Sequence, residues 1–566
     1  MTDTRRQALI AGTWTALITA ILLWPLHRGG YPVGRDLVFT PHQPFNDASV
    51  GLGTGAARAV PLDALVALAS HWVDGQIIGR LALALPLLAA GWGARRLLAP
   101  RSLAAGLSVA GFAVWNPFVV ERLALGQWAL LWAYGALPWL VLGLRAIRDR
   151  PSPRLLAGAF LALAACAITP TGALIGGATV VALGWRSGRE HRLTAGFALA
   201  AALLVQLPWL LPALLSSASA TSDPAGVRTF AARSERPGGV LASLLGLGGI
   251  WDRGATPDSR AGWLGVLTTV AVVVVIVLGA RDASTRLGSA TARRFGVLCA
   301  AGLLIAIAAA LPGGSAVLRW STVHLPGAGL LRDGQKWLLP FVLLAVLCLG
   351  AAVDRLASRG QAALVIALAI GAALPMLLLP DAGATLRPTL TPARYPLGWQ
   401  LASQAVHGPG QVLVLPFASY RSFDWVTASS VIDPAPRWLG PVAVVNDQLV
   451  VSGRVLAGED RHAAALGAAL ATSHDLPTAL AAEGIGWVWV EKHTAGPPLP
   501  DLAGLKRTLS TADIDLYQVP GPVRVVQVSP LSRAIVYTVD VMLLLFVAIS
   551  VCVVGSYGLH RGYTRR

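Results

Sequence analysis

Three short runs of this chain hold side chains suited to chemistry. The first is Gly30-Tyr31-Pro32-Val33-Gly34-Arg35-Asp36-Leu37-Val38-Phe39-Thr40-Pro41-His42, which follows the first apolar stretch. Asp36 lies there beside Arg35 and near His42. A carboxylate so placed can serve as a general base or hold a metal; a solvated loop carboxylate paired with Arg35 is the plainer alternative. The second run is Asn116-Pro117-Phe118-Val119-Val120-Glu121-Arg122, continued by Gly126-Gln127-Trp128. Glu121 and Arg122 stand at an apolar boundary, where charges pair with one another or face a cavity. Trp115 and Trp128 would then be interfacial anchors around an ordinary ion pair. The third run is Leu330-Leu331-Arg332-Asp333-Gly334-Gln335-Lys336-Trp337. Lysine occurs only at Lys336, Lys492 and Lys506, so Lys336 is the single lysine of the apolar region. A compact ammonium suits a phosphate, or else snorkels beside Trp337. The histidines His42, His71 and His324 are scattered, and Cys166, Cys299, Cys348 and Cys552 each sit inside an apolar run without metal-like spacing, so no metal is assigned.

The elements that must position these runs are membrane helices. Of 566 residues, 55% are hydrophobic and only 13% charged, half the charge of an average soluble chain at about 25%. Apolar segments at 8–26, 76–94, 103–120, 128–146, 154–170, 172–185, 194–215, 262–280, 295–312, 337–353, 362–380 and 534–555 predict about 12 spans, given the roughly 20 residues a span needs. The net charge of +17 is almost all arginine. It falls in short clusters between apolar segments, not on one basic face, which argues against nucleic acid and for membrane topology. The clusters are Arg5-Arg6, Arg95-Arg96-Arg101, Arg145 to Arg154, Arg186-Arg189-Arg192, Arg281 to Arg294, Arg355-Arg359 and Arg561-Arg565-Arg566. The positive-inside rule puts them, and with them both termini, in the cytoplasm. The first apolar stretch lacks a small-residue cleavage site and reads as a retained helix. The longer loops, 27–75, 116–127, 216–261, 313–336 and 381–533, then face outward. Residues 61–73 read as an amphipathic surface helix. Three domains are expected: a polytopic membrane domain at 1–380, a small extracytoplasmic α/β domain at 381–533, and a final helix with a basic tail at 534–566. In the second, strands are expected at 411–416, 485–490 and 513–519, with an Ala-rich helix at 462–484. No Gly-rich phosphate loop, nucleophile elbow or internal repeat is present in the sequence.

An acidic first outer loop after a helix that starts in the cytoplasm resembles the GT-C superfamily of membrane glycosyltransferases. The Asn116-to-Arg122 run with Gly126-Gln127-Trp128 is similar to actinobacterial α-1,3-arabinofuranosyltransferases, and the Arg332-to-Lys336 run to the same group and to YfhO-type membrane proteins. The known arabinofuranosyltransferases are much longer chains, with large carbohydrate-binding regions. The resemblance implies transfer of arabinofuranose or mannose from a polyprenyl-phosphate donor to a cell-envelope glycan, at the plasma membrane and on the outer face. Asp36 matches the family's first-loop acid and would be the general base. Arg35, Arg122, Arg332 and Lys336 would hold the lipid phosphate. Glu121 would orient an arginine or bind acceptor hydroxyls, with His42, Gln127 and Asp333 as further substrate-binding residues. No DxD pair follows the first helix, and no cofactor is implied beyond the lipid-linked donor. A lipid-linked glycan flippase or a non-catalytic membrane scaffold are the rival readings. The scarcity of mid-span charges favours the enzyme over a transporter.

Overall fold

The computed structural model describes residues 3–55, 57, 59–184, 192–216, 222–235, 237–525 and 527–563. Arg186, Arg189, Arg565 and Arg566 lie outside the described residues. Each of the expected apolar segments is helical, but they are not equal. Eight helices are long and apolar enough to cross a membrane: Gly75–Leu98, Leu103–Ala124, Trp128–Asp149, Trp263–Leu287, Ser289–Ala308, Gly334–Ala357, Gln361–Leu378 and Pro530–Ser556. The pair Leu193–Leu204 and Leu207–Leu215 is bent by 45° and makes a ninth if taken as one span. Pro208 opens its second half, where a missing backbone donor costs least. Pro153–Cys166 and Pro170–Gly184 are apolar but short; at 1.5 Å per residue they reach only about 20 Å of a roughly 30 Å hydrocarbon layer. The first helix, Asp3–Leu22, is long enough but begins with Asp3, Arg5 and Arg6. By length and composition the expected 12 spans are therefore eight or nine among the described residues. The chain is a multi-pass membrane protein.

The Arg-rich connections meet at one end of the bundle. Asp354 accepts from the Arg101 and Ser102 amides at 2.8 Å each, and pairs with Arg286 at 2.6 Å. Arg355 pairs with Asp282 at 2.8 Å, and Arg145 donates to the Arg286 carbonyl. The span Gly334–Ala357 carries Asp354 at this end and Lys336 at the other, about 30 Å away along its axis.

At that opposite end stands a five-stranded sheet. Its strand order is Lys506–Ser510, Ile514–Gln518, Ile485–Glu491, Gln411–Leu415, Ala443–Val444. The last three strands are parallel to one another, and the first two join antiparallel. The three expected strands are there; Lys506–Ser510 is too charged, and Ala443–Val444 too short, to stand out in the sequence. The expected 462–484 helix is two, Arg461–Thr472 and Leu476–Ala482, because Asp475 caps a new start ahead of Pro477. Within 61–73, residues Leu62–Ser70 are helical. Alternation splits the sheet's side chains between two cores. Val412, Val414, Trp487 and Trp489 join an aromatic cluster with Trp399, Phe423, Tyr395, Trp425 and Trp438. Leu413, Leu415, Val488 and Val490 pack on the two helices instead.

Candidate functional site

Asp36 sits at the tip of a two-residue hairpin. Val33 pairs with Val38 and Gly34 with Leu37, leaving Arg35 and Asp36 as the turn. Alternating side chains stitch this hairpin into both halves of the molecule. Val33 and Val38 enter the aromatic core of the sheet, while Leu37 and Phe39 enter the core of the bundle. Arg35 takes a left-handed φ of 54°, a conformation a non-glycine residue keeps only when its surroundings hold it. Here its amide donates to Ser430 O at 3.0 Å and its carbonyl accepts from Ile432 N at 2.7 Å.

Two side chains from distant elements hold the Asp36 carboxylate. Gln127 Nε2 donates to Oδ2 at 3.1 Å, and the Tyr420 hydroxyl donates to Oδ1 at 2.6 Å. Arg35 is not its partner, as the sequence left open; the guanidinium turns away to pair with Asp252. Gln127 is oriented in turn, because its Oε1 accepts from Arg122. Arg122 is fully buried. It grips Asp333 through two bonds, 2.8 Å and 3.0 Å, and also donates to Gln335 Oε1. Lys336 Nζ lies 3.4 Å from Asp333 Oδ2, and its side chain is 28% exposed, more open than Arg35 at 22% or Arg332 at 20%. The three sequence runs thus converge on one relay: Asp36, Gln127, Arg122, Asp333, Lys336. Burial pushes the Asp333 carboxyl up, but the charges of Arg122 and Lys336 outweigh it and hold it below the usual carboxylate range.

The Glu121–Arg122 dipeptide is not an interfacial loop. Asn116 caps a helix, Pro117–Ala124, accepting from Val119 N at 3.1 Å. That helix continues the line of Leu103–Val114, so both charges lie inside a membrane-length element. Trp115 and Trp128 are buried, not belt anchors. Glu121 accepts from Gln335 Nε2 at 3.0 Å and from Ile250 N at 3.3 Å. Behind it, Arg260 pairs with Glu235 at 2.8 Å with both side chains fully buried. Burial raises the Glu235 carboxyl, yet Arg260 and the Gly249 amide bring it below its ordinary value. The backbone comes close here at Gly248, where a Cβ would lie within 2.7 Å of oxygens on both Glu121 and Glu235.

Arg35, turned to Asp252, and two further expected residues stand apart from the relay. His42 places Nδ1 2.8 Å from the Ser70 carbonyl and bonds no relay member. Arg332 sits 3.5 Å from Glu459 and 5.4 Å over the Phe230 ring. Sequence reasoning did not single out Tyr420, Asp252, Gln335, Glu235 or Arg260. Gln335 stood inside a quoted run; the others carry no local signal, since each gains its role from a partner at least 25 positions away. Among the described residues no three His, Cys, Asp or Glu side chains group as a metal set.

No protein-family model matches the sequence, and no curated protein matches it. Solved structures do. The cryo-EM structure of the arabinofuranosyltransferase AftD from Mycobacteria aligns over 92% of this chain with a TM-score of 0.53 and 17% identity. A structure of an AftD mutant aligns over 92% with a TM-score of 0.54 and the same identity. The alignments cover 40% and 42% of the AftD chains, so this chain spans about two fifths of their length. Across nearly its whole length, then, the chain shares its fold with about two fifths of the AftD chain.

Proposed function

We propose that this chain is a membrane glycosyltransferase. It moves a sugar, arabinofuranose or mannose, from a polyprenyl-phosphate donor onto a hydroxyl of a cell-envelope glycan. The reading rests on one observation above all. Where bundle and sheet meet, a half-buried carboxylate is held by two uncharged donors, with no cation bonded to it among the described residues. A base needs its lone pairs aimed and its charge left unneutralised. The Gln127 amide and the Tyr420 hydroxyl aim Asp36, while Arg437, whose charge reaches it, gives its hydrogen bonds to Asp63. In the reaction, the acceptor oxygen bonds to the anomeric carbon as the bond from that carbon to the phosphate oxygen breaks. The acceptor proton passes to Asp36, and the polyprenyl phosphate leaves with the bonding pair. Lys336, part exposed, meets the growing phosphate charge. Arg122 is a positioning residue, because its guanidinium is enclosed by Asp333, Gln127 and Gln335. The likeness of fold to an arabinofuranosyltransferase supports the reaction class. We place the site on the extracytoplasmic face of the plasma membrane, with the Arg-rich end and both termini inside.

The test is transfer of labelled sugar from synthetic polyprenyl-phosphate arabinose or mannose to an oligosaccharide acceptor, with linkage analysis of the product. Asp36→Asn should lower turnover about 10²–10⁴-fold, the range of general-base contributions, while expression and melting stay unchanged. Transfer at the wild-type rate by the purified variant would remove Asp36 from the mechanism.

A further inference from the structure

Beyond Leu22 the first helix gives way to a tight turn, Trp24–His27, that leads toward the Asp36 hairpin. This turn and the helix Ala382–Leu390 wall a cleft of about 470 Å³. Arg28 and Arg387, both exposed, line it from segments more than 350 positions apart. Arg80 lies under the same turn. Its Nε donates to Leu26 O at 3.1 Å and its terminal nitrogens to Arg28 O at 2.8 Å and Gln76 O at 3.1 Å, fixing the backbone that presents Arg28. No carboxylate lines the cleft, and among the described residues none of these three guanidinium groups has a carboxylate partner. The rest of the wall on the turn's side is open and mostly apolar, Ile21, Trp24 and Pro25 with His27, whose ring stacks on Trp24 at 4.7 Å. Trp24 is 65% exposed, Ile21 44% and Leu17 49%. Leu17 and Ile21, at i and i+4, lie on one stripe of the helix, and Trp24 follows in the turn beyond it.

We infer that this cleft is a binding site for the phosphate head of an anionic membrane lipid. Paired guanidinium groups match phosphate oxygens. An exposed tryptophan beside them marks headgroup depth, and the stripe of Leu17 and Ile21 gives the hydrocarbon tail its track. A soluble anion would leave that stripe unused. The inference depends on the chain spanning a membrane and not on sugar transfer.

Lipid occupancy of the detergent-solubilised full chain is measured by native mass spectrometry against phosphatidylglycerol and, separately, a polyprenyl monophosphate. Arg28→Gln/Arg387→Gln should weaken binding about 30-fold, from roughly fivefold for each basic group near a lipid phosphate. Arg28→Lys/Arg387→Lys should keep most of it, which separates lost charge from lost fold. Equal gains with both lipids identify a general anionic-lipid site; a gain with the polyprenyl phosphate alone identifies a donor-class site. Wild-type occupancy in the Gln variant, or occupancy of the wild-type chain that is indifferent to salt, overturns the inference. So does equal competition by inorganic phosphate. If the Gln variant loses lipid while the wild-type chain transfers no sugar, the cleft stands and the glycosyltransferase reading falls. If the wild-type chain transfers sugar and the Gln variant binds lipid unchanged, the glycosyltransferase reading stands and the cleft falls.

Discussion

At Asp36 each carboxylate oxygen has its own donor, and the two differ in kind. The Gln127 bond at 3.1 Å comes from an amide that Arg122 already orients, whereas the Tyr420 bond at 2.6 Å comes from a partly exposed hydroxyl on the far side of the chain contact. A hydrogen bond to a charged group contributes about 1.5–3 kcal/mol. If Tyr420 fixes the base in its productive rotamer, Tyr420→Phe should lower kcat about 10-fold or more with little change in acceptor KM and no loss of melting temperature. Unchanged kcat would make Tyr420 a bystander. Asp36 was legible in the sequence because an acidic residue just past a first apolar segment is conspicuous. Tyr420 was not, because a tyrosine 384 positions away carries no local mark of the carboxylate it meets. Arg122 was legible as a charge needing a partner, but nothing in its run indicated that the partner would be Asp333 and not the adjacent Glu121.

At the scale of elements, the hairpin that carries Asp36 docks on the turn after helix Pro117–Ala124 through the absence of a side chain. Gly126 has φ of 78°, and a Cβ there would lie 2.4 Å from Leu37 N and 2.9 Å from Asp36 N. Both the backbone conformation and the space exclude alanine. Gly126→Ala should therefore cost activity through displacement of the tip, with a stability loss of about 1–3 kcal/mol, and the loss of transfer should exceed that of Gly239→Ala, a positive-φ glycine with open space around it. A second element holds Tyr420 in place. Arg421 is buried with both Asp433, at 3.0 Å, and Glu491, at 2.8 Å. One guanidinium cannot balance two carboxylates. Burial pushes both acids up, Glu491 furthest because Asp433 faces it, and Arg421 only partly opposes this. The native state therefore keeps a proton that the unfolded chain releases near pH 4.5. Stability should fall as pH rises from there through the raised native value. Glu491→Gln keeps an acceptor for Arg421 and removes the titration. It should flatten that decline and raise stability at pH 7 by roughly 1 kcal/mol, read from thermal melts across pH 4–9. A steeper decline in the variant would sink the account. Of the strands around this triad, the one ending at Glu491 was readable from its apolar run; Tyr420–Arg421 and Val431–Ile432, two residues each, were not, and neither was the triad, since its three charges come from separate strands and loops.

For the whole molecule the decisive quantity is which end faces out. Sequence periodicity located the apolar segments because each is a local property; it did not tell the long ones from Pro153–Cys166 and Pro170–Gly184, which are short and pack against neighbours. The clustering of Arg101, Arg145, Arg286 and Arg355 around Asp354 and Asp282 gathers the basic connections at one end, and the Asp36 relay lies at the other. Basic connections are retained on the cytoplasmic side during insertion, so the relay and the sheet should face outward. Three of the native cysteines are buried and Cys552 lies within the last span, which leaves a nearly silent background for thiol labelling. Ser358→Cys, exposed in the turn at the Arg-rich end, and Ser473→Cys, exposed between two helices at the sheet end, are suitable reporters. In intact cells a membrane-impermeant maleimide should label Ser473→Cys fully and Ser358→Cys only after permeabilisation. The reverse pattern would put Asp36 in the cytosol, out of reach of any outer-face glycan, and transfer at that site would have to be abandoned even if the relay's geometry were correct in every bond.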